Sequence, residues 1–122
     1  GYVQANGAQS KDNELHGFHS VDGGIMQANN SKALGNKVNG YFSENFGHIK
    51  SNAAEASGNL DSGFFATGKA YLDAHASTAN NNPTGFQCDY NGYMKRTEAS
   101  EDSSVNGHVP DVNTYKNGCY MH

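Results

Sequence analysis

Small and hydrophobic positions return along this chain with a period of about 22 residues, within the range of tandem-repeat proteins. A glycine followed by a ring recurs, almost evenly spaced, at Gly17-Phe18, Gly40-Tyr41, Gly63-Phe64, Gly85-Phe86 and Gly107-His108. Three places after that glycine stands a small residue: Ser20, Ser43, Ala66 and Cys88. Seven after it come Gly24, Gly47, Ala70 and Gly92, and nine after it Met26, Ile49, Leu72 and Met94. Columns that agree in phase over four copies mark an internal repeat, which is read before any local element. The copies run 1–16, 17–39, 40–62, 63–84, 85–106 and 107–122 in a single repeat domain, with Gly1-Tyr2 taken as the head of a shortened first copy.

The shared columns fall on the second, fourth, eighth and tenth places of each copy. Side chains alternate across a strand, so even places share one face. The sequence therefore predicts an all-β fold, with one strand of about eleven residues and a second shorter strand per copy. No copy can bury its even face alone. Stacking five to six rungs at the ~4.8 Å strand spacing buries it and sets like residue above like, a β-solenoid. A helical repeat array is the alternative, since Leu34, Val38, Phe42, Phe46, Ile49 and Ala53 also fit a helical spacing. Against it, Gly35, Gly40, Gly47 and Gly58 would each cost about 1 kcal/mol in a helix interior.

In the solenoid the stacked core is Phe18, Tyr41, Phe64 and Phe86, with Gly17, Gly40, Gly63, Gly85 and Gly107 as equivalent backbone positions. Asn29 and Asn52 form an amide ladder. Tyr71, Tyr93 and Tyr115 are placed in one odd column with His48 and Ile25, an outward aromatic ladder, while Lys50, Asp73 and Lys95 face water. Asn-Asn-Asn-Pro-Thr and Gly-Asn near the ends of copies supply turn chemistry.

Composition sharpens this picture. Only 35% of the 122 residues are hydrophobic, with no Trp, while Gly (15) and Asn (16) dominate, so a core of branched aliphatics cannot be assembled. Thirteen Phe and Tyr residues argue against disorder. The net charge of −4 carries no basic patch, which excludes a nucleic-acid partner, and no apolar run reaches the ~20 residues of a membrane span. Cys88 and Cys119 are expected to pair as a disulfide, contributing roughly 3–4 kcal/mol by loop closure. With a chain that opens on Gly1 rather than Met, this points to a secreted, extracellular protein. No nucleophile elbow, phosphate loop, zinc spacing or EF-hand is present, so no catalytic residue, metal or cofactor is assigned and the chain reads as a non-enzyme. The six histidines (16, 19, 48, 75, 108, 122) read as surface or stacking residues.

The repeat layout, secreted character, size and Gly/Asn richness resemble those of bacterial curli-type functional amyloid subunits. The resemblance covers residues 1–122 as architecture and implies a self-assembling fibre of a biofilm matrix. Both end copies, 1–16 and 107–122, keep the pattern but are shorter than the rest, with no evident cap. The expected function is an extracellular structural subunit that polymerises end to end with itself. The alternative is a secreted monomeric binding module for a surface polysaccharide or ice. For ice, Thr67, Thr78, Thr84, Thr97 and Thr114 occupy different columns rather than an array.

Overall fold

The structure, a computed structural model, describes residues 1–100, the backbone of 106–109 and 114–116, and residues 119–121. The described residues contain no helix, so the helical alternative falls. The chain opens with β1 (Tyr2–Gln4) and β2 (Gln9–Lys11). The next coil supplies β3 (Phe18–Ser20), β4 (Ile25–Gln27) and β5 (Lys32–Leu34). After it come β6 (Tyr41–Ser43), β7 (His48–Lys50) and β8 (Glu55–Ser57). Then follow β9 (Ser62–Ala66), β10 (Tyr71–Asp73) and β11 (Thr78–Asn80). The last coils hold β12 (Thr84–Cys88), β13 (Tyr93–Lys95), β14 (Asn106–Val109), β15 (Thr114–Lys116) and β16 (Cys119–Met121).

A full coil gives one strand to each of three sheets. Sheet 1 has the order β1-β4-β7-β10-β13-β16-β15, sheet 2 β2-β5-β8-β11 and sheet 3 β3-β6-β9-β12-β14. The pairings are parallel and keep the repeat in register, as in Phe18↔Tyr41 and Tyr41↔Phe64. Among the described strands only β15 runs antiparallel, against β16. The β-solenoid thus has about four turns, fewer than the five to six expected. The first copy brings no strand to sheet 3, and the last brings β14 and β16 but, among the described residues, none to sheet 2.

The long strand expected in each copy is broken by a corner. Gly24, Gly47, Ala70 and Gly92 donate their N–H to the carbonyls of Val21, Glu44, Thr67 and Asp89, closing four-residue turns. Both central residues have positive φ in every copy: Asp22-Gly23, Asn45-Phe46, Gly68-Lys69 and Tyr90-Asn91. That is the type I′ signature. A second corner carries one positive-φ residue per coil at Gly7, Asn30, Ala53, Ala76 and Glu98, and a third at Asp12, Gly35, Gly58 and Asn81. The first corner separates the even columns without changing their direction. Phe18 and Ser20 point inward from sheet 3, and the Met26 column points inward from sheet 1.

Phe18, Tyr41, Phe64 and Phe86 are buried and stack with centroids 4.9, 4.6 and 4.9 Å apart and planes within 10°. Ile49, Leu72, Met94 and Met121 form the aliphatic column, and Ala33, Ala56 and Ala79 meet both from sheet 2. One ring, one aliphatic and one alanine per coil fill a narrow three-sided interior. Stacked aromatic pairs add about 0.5–1.5 kcal/mol each beyond area burial. Because every coil touches only its neighbours, the stability is a sum over coil interfaces.

The first copy is phased differently from the sequence reading. Tyr2 pairs with Ile25 and Val3 with Met26, so Gly1-Tyr2 is equivalent to Gly24-Ile25 rather than to Gly17-Phe18. The glycine-ring resemblance at residues 1–2 is coincidental, because Tyr2 lies in the outward column of sheet 1.

Candidate functional site

The repeat glycines owe their place to a second, buried ladder that the sequence reading missed. A β-carbon on Gly40 would lie 2.7 Å from the Gly63 carbonyl oxygen and 2.9 Å from Asn59 Nδ2, and Gly17 and Gly63 meet the equivalent atoms of their neighbours. Phe86 pairs with His108 between β12 and β14, which sets Gly107 beside Gly85. The amide laid against this glycine column belongs to Asn36, Asn59 and Asn82, each fully buried. Asn59 Nδ2 donates to Asn82 Oδ1 at 3.0 Å and to the Ala33 carbonyl at 3.1 Å, while its backbone N–H donates to Asn82 Oδ1. Asn36 repeats the pattern onto Asn59, and Asn13 onto Asn36. The signal was present as Gly35-Asn36 and Gly58-Asn59, read only as turn chemistry. The Asn29–Asn52 contact is side chain to backbone, Asn52 N–H donating to Asn29 Oδ1, rather than amide to amide.

The outward column of sheet 1 contains Tyr2, Ile25, His48, Tyr71, Tyr93 and Tyr120. Tyr71 and Tyr93 stack at 5.0 Å, Tyr93 and Tyr120 at 5.4 Å. Tyr115 joins this column at its far end, beyond Tyr120 rather than next to Tyr93. It sits on β15, opposite Tyr120 across the antiparallel pair, because the last copy inserts β15 between β14 and β16. The stacked rings spend their faces on one another, and a sugar needs an open ring face to stack upon. Burial pushes the Tyr71 and Tyr93 hydroxyl pKa up. In the neighbouring column Lys50 is exposed but Asp73 is buried, against the expectation that both face water, because its carboxylate turns back to accept the His75 N–H.

Outward from sheet 3, His19 accompanies Phe42 and Phe65, with centroids 5.1 and 5.2 Å apart. His16 Nδ1 faces the side-chain amide and the backbone N–H of Asn39 at 3.3 and 3.4 Å, and His19 Nε2 lies 2.9 Å from Glu44. Burial, aided by nearby His19, pulls the His16 pKa down, and burial does the same to His48. Among the described residues no group of three or more His, Cys, Asp or Glu is placed to hold a metal.

The two ends differ. At the N-terminal end β1, β2 and β3 are the edge strands of sheets 1, 2 and 3. Val3, in the core column, is 50% exposed, and Tyr2 is 55% exposed. A groove opens there between Val3, Ser20, Val21, Gly24, Ile25 and Met26. In later coils the N–H of Glu44, Thr67 and Asp89 reaches down to the carbonyls of Ser20, Ser43 and Ala66. Val21 occupies the same position with no coil beneath it.

At the C-terminal end β16 lies on β13 through Tyr93↔Tyr120 and Met94↔Met121, and β15 covers its far side. Cys119 and Met121 are fully buried. Cys88 and Cys119 are disulfide-bonded with Cα atoms 5.6 Å apart, tying β16 to the preceding coil. Such a bond fits an oxidising environment. The sequence expected two uncapped ends; the antiparallel pair of β15 and β16 closes sheet 1 at this one. No helix among the described residues is long and apolar enough to cross a membrane.

The fold and its ladders define a three-sided parallel β-solenoid. Compared with protein families, curated proteins and solved structures, the chain matches none.

Proposed function

We propose that this chain is an extracellular structural subunit that assembles with further copies of itself end to end. The observation that carries the reading is the complementary strand content of its terminal coils. The last coil brings β14 to sheet 3 and, in the free chain, β16 to sheet 1, a place the incoming β1 must take; the first brings β1 and β2 to sheets 1 and 2. One strand from one copy and two from the next make one composite coil, with β3 of the second copy stacked on β14 of the first. A repeating heterologous contact of this kind does not close on itself and gives a filament. Edge N–H and C=O groups supply the bonding, and Val3 and Phe18 enter continuous core columns.

A monomeric polysaccharide-binding module is the less favoured reading, since the tyrosine faces are stacked on each other. Sedimentation and negative-stain microscopy of the chain, over micromolar to millimolar concentration and with its disulfide intact or reduced, test the proposal. Fibres in at least one of the two states, lost on Val3→Asp, are the expected result. A monomer in both states overturns it.

A further inference from the structure

The composite coil needs a slot that this chain already fills. If β3 of an incoming copy stacks on β14, its β1 lies one coil lower in sheet 1 and must pair with β13. That is the position of β16. The two strands carry the same columns: Tyr2 and Tyr120 in the outward ring column, Val3 and Met121 in the aliphatic core column. Cys119 stands where Gly1 would, at the position of Gly24 and Gly92. The ring of Tyr120 stacks on Tyr93, and Met121 continues the core beyond Met94. Among the described residues no strand takes the slot in sheet 2, whose last pairing is the single bridge Thr78↔Ser100.

We infer that β16 is an intramolecular stand-in for β1 of a second copy, a plug held in the assembly site by the Cys88–Cys119 bond. The inference rests on the end-to-end reading and adds its control. Tethering raises the effective concentration of β16 to the millimolar range, above any free copy. The disulfide ties β16 directly to β12, so local fraying cannot release it. β15 blocks the outer edge of β16 with a strand of opposite direction, which ends parallel growth in sheet 1. Release takes a dithiol reductant, which becomes a disulfide while Cys88 and Cys119 become two thiols. Polymerisation is then a competition between two strands of the same pattern for β13.

The test compares four full-length chains at matched concentration, followed by light scattering and negative-stain microscopy. These are the oxidised wild type, the Cys88→Ser/Cys119→Ser variant, that variant with Met121→Asp, and the last with Val3→Asp added. Met121→Asp puts a carboxylate into the core column and unseats β16; circular dichroism checks that the β signal of the coils persists. The oxidised wild type is expected to remain monomeric, and the cysteine-free chain to assemble at least tenfold faster. Met121→Asp should assemble faster still, and Val3→Asp should abolish growth. Equal rates for wild type and unplugged chains overturn the plug and leave end-to-end assembly standing. No assembly by any of the four overturns both.

Discussion

At the scale of single residues, the most consequential side chains are amides. Asn59 uses its oxygen to accept from the backbone and side chain of Asn36, and its Nδ2 to reach Ala33 and Asn82, all away from water. A buried donor or acceptor left without a partner costs about 1–3 kcal/mol, more than the bond's net worth when made. Asn59→Ala orphans the Asn36 N–H and takes from the Asn36 side-chain amide its ladder acceptor. Urea unfolding should therefore show a loss of about 3 kcal/mol, with the larger part at the two adjoining coil interfaces. A loss below about 1 kcal/mol would mean that water replaces the ladder. The burial of Tyr41 follows the same rule, its hydroxyl meeting Ser31 at 2.8 Å.

At the scale of elements, the short strands owe their existence to the corners between them. A type I′ corner needs two consecutive positive-φ residues, which L side chains adopt at a cost of roughly 1–2 kcal/mol each while Gly does so freely. Two corners place a ring there: Phe46 (φ 64) and Tyr90 (φ 44), both exposed. Lys69 stands 5.6 Å from the Phe46 ring, a cation–π contact worth about 0.5–1 kcal/mol at the surface. The strain outweighs that contact, so Phe46→Gly should raise the stability by about 0.5–1 kcal/mol. Calorimetry giving a lower melting temperature for this variant would show that the ring is held by more than Lys69.

On the scale of the whole molecule, stability is the sum of coil interfaces, and acid reaches it through two histidines. His16 and His48 both have folded pKa values below the ordinary 6.5 of the unfolded chain. As the pH falls through 6.5 the unfolded chain takes up these protons first, so the folded state loses stability. The two contributions are complete above that value and are lost as the pH drops toward the lowered folded values. Melting temperature measured from about pH 7.5 to 5 should decline, and His16→Asn should flatten the decline, since Asn39 shows that an amide suits this column. An unchanged slope in that variant would remove His16 from the account.

The sequence alone determined the parts of this protein that depend on repetition. A near-constant period, a glycine-ring pair and a column of small residues force a parallel stack, because only like-on-like stacking buries a face that no copy can bury by itself. Phe18, Tyr41, Phe64 and Phe86 were legible as one column for that reason. Tertiary structure alone decided how the coil bends. Four-residue corners preserve the alternation of side chains, so the even-place pattern is the same for one long strand as for two short strands meeting at a turn. The phase of the ends was also hidden. Gly1-Tyr2 and Gly24-Ile25 are equivalent only through pairing, and the insertion that puts Tyr120 between Tyr93 and Tyr115 is visible only once β16 is seated on β13. Hydrogen bonding settled the remaining question: Asn36, Asn59 and Asn82 look like ordinary turn residues until the backbone closes around them, and burial then makes their amides the spine of the stack.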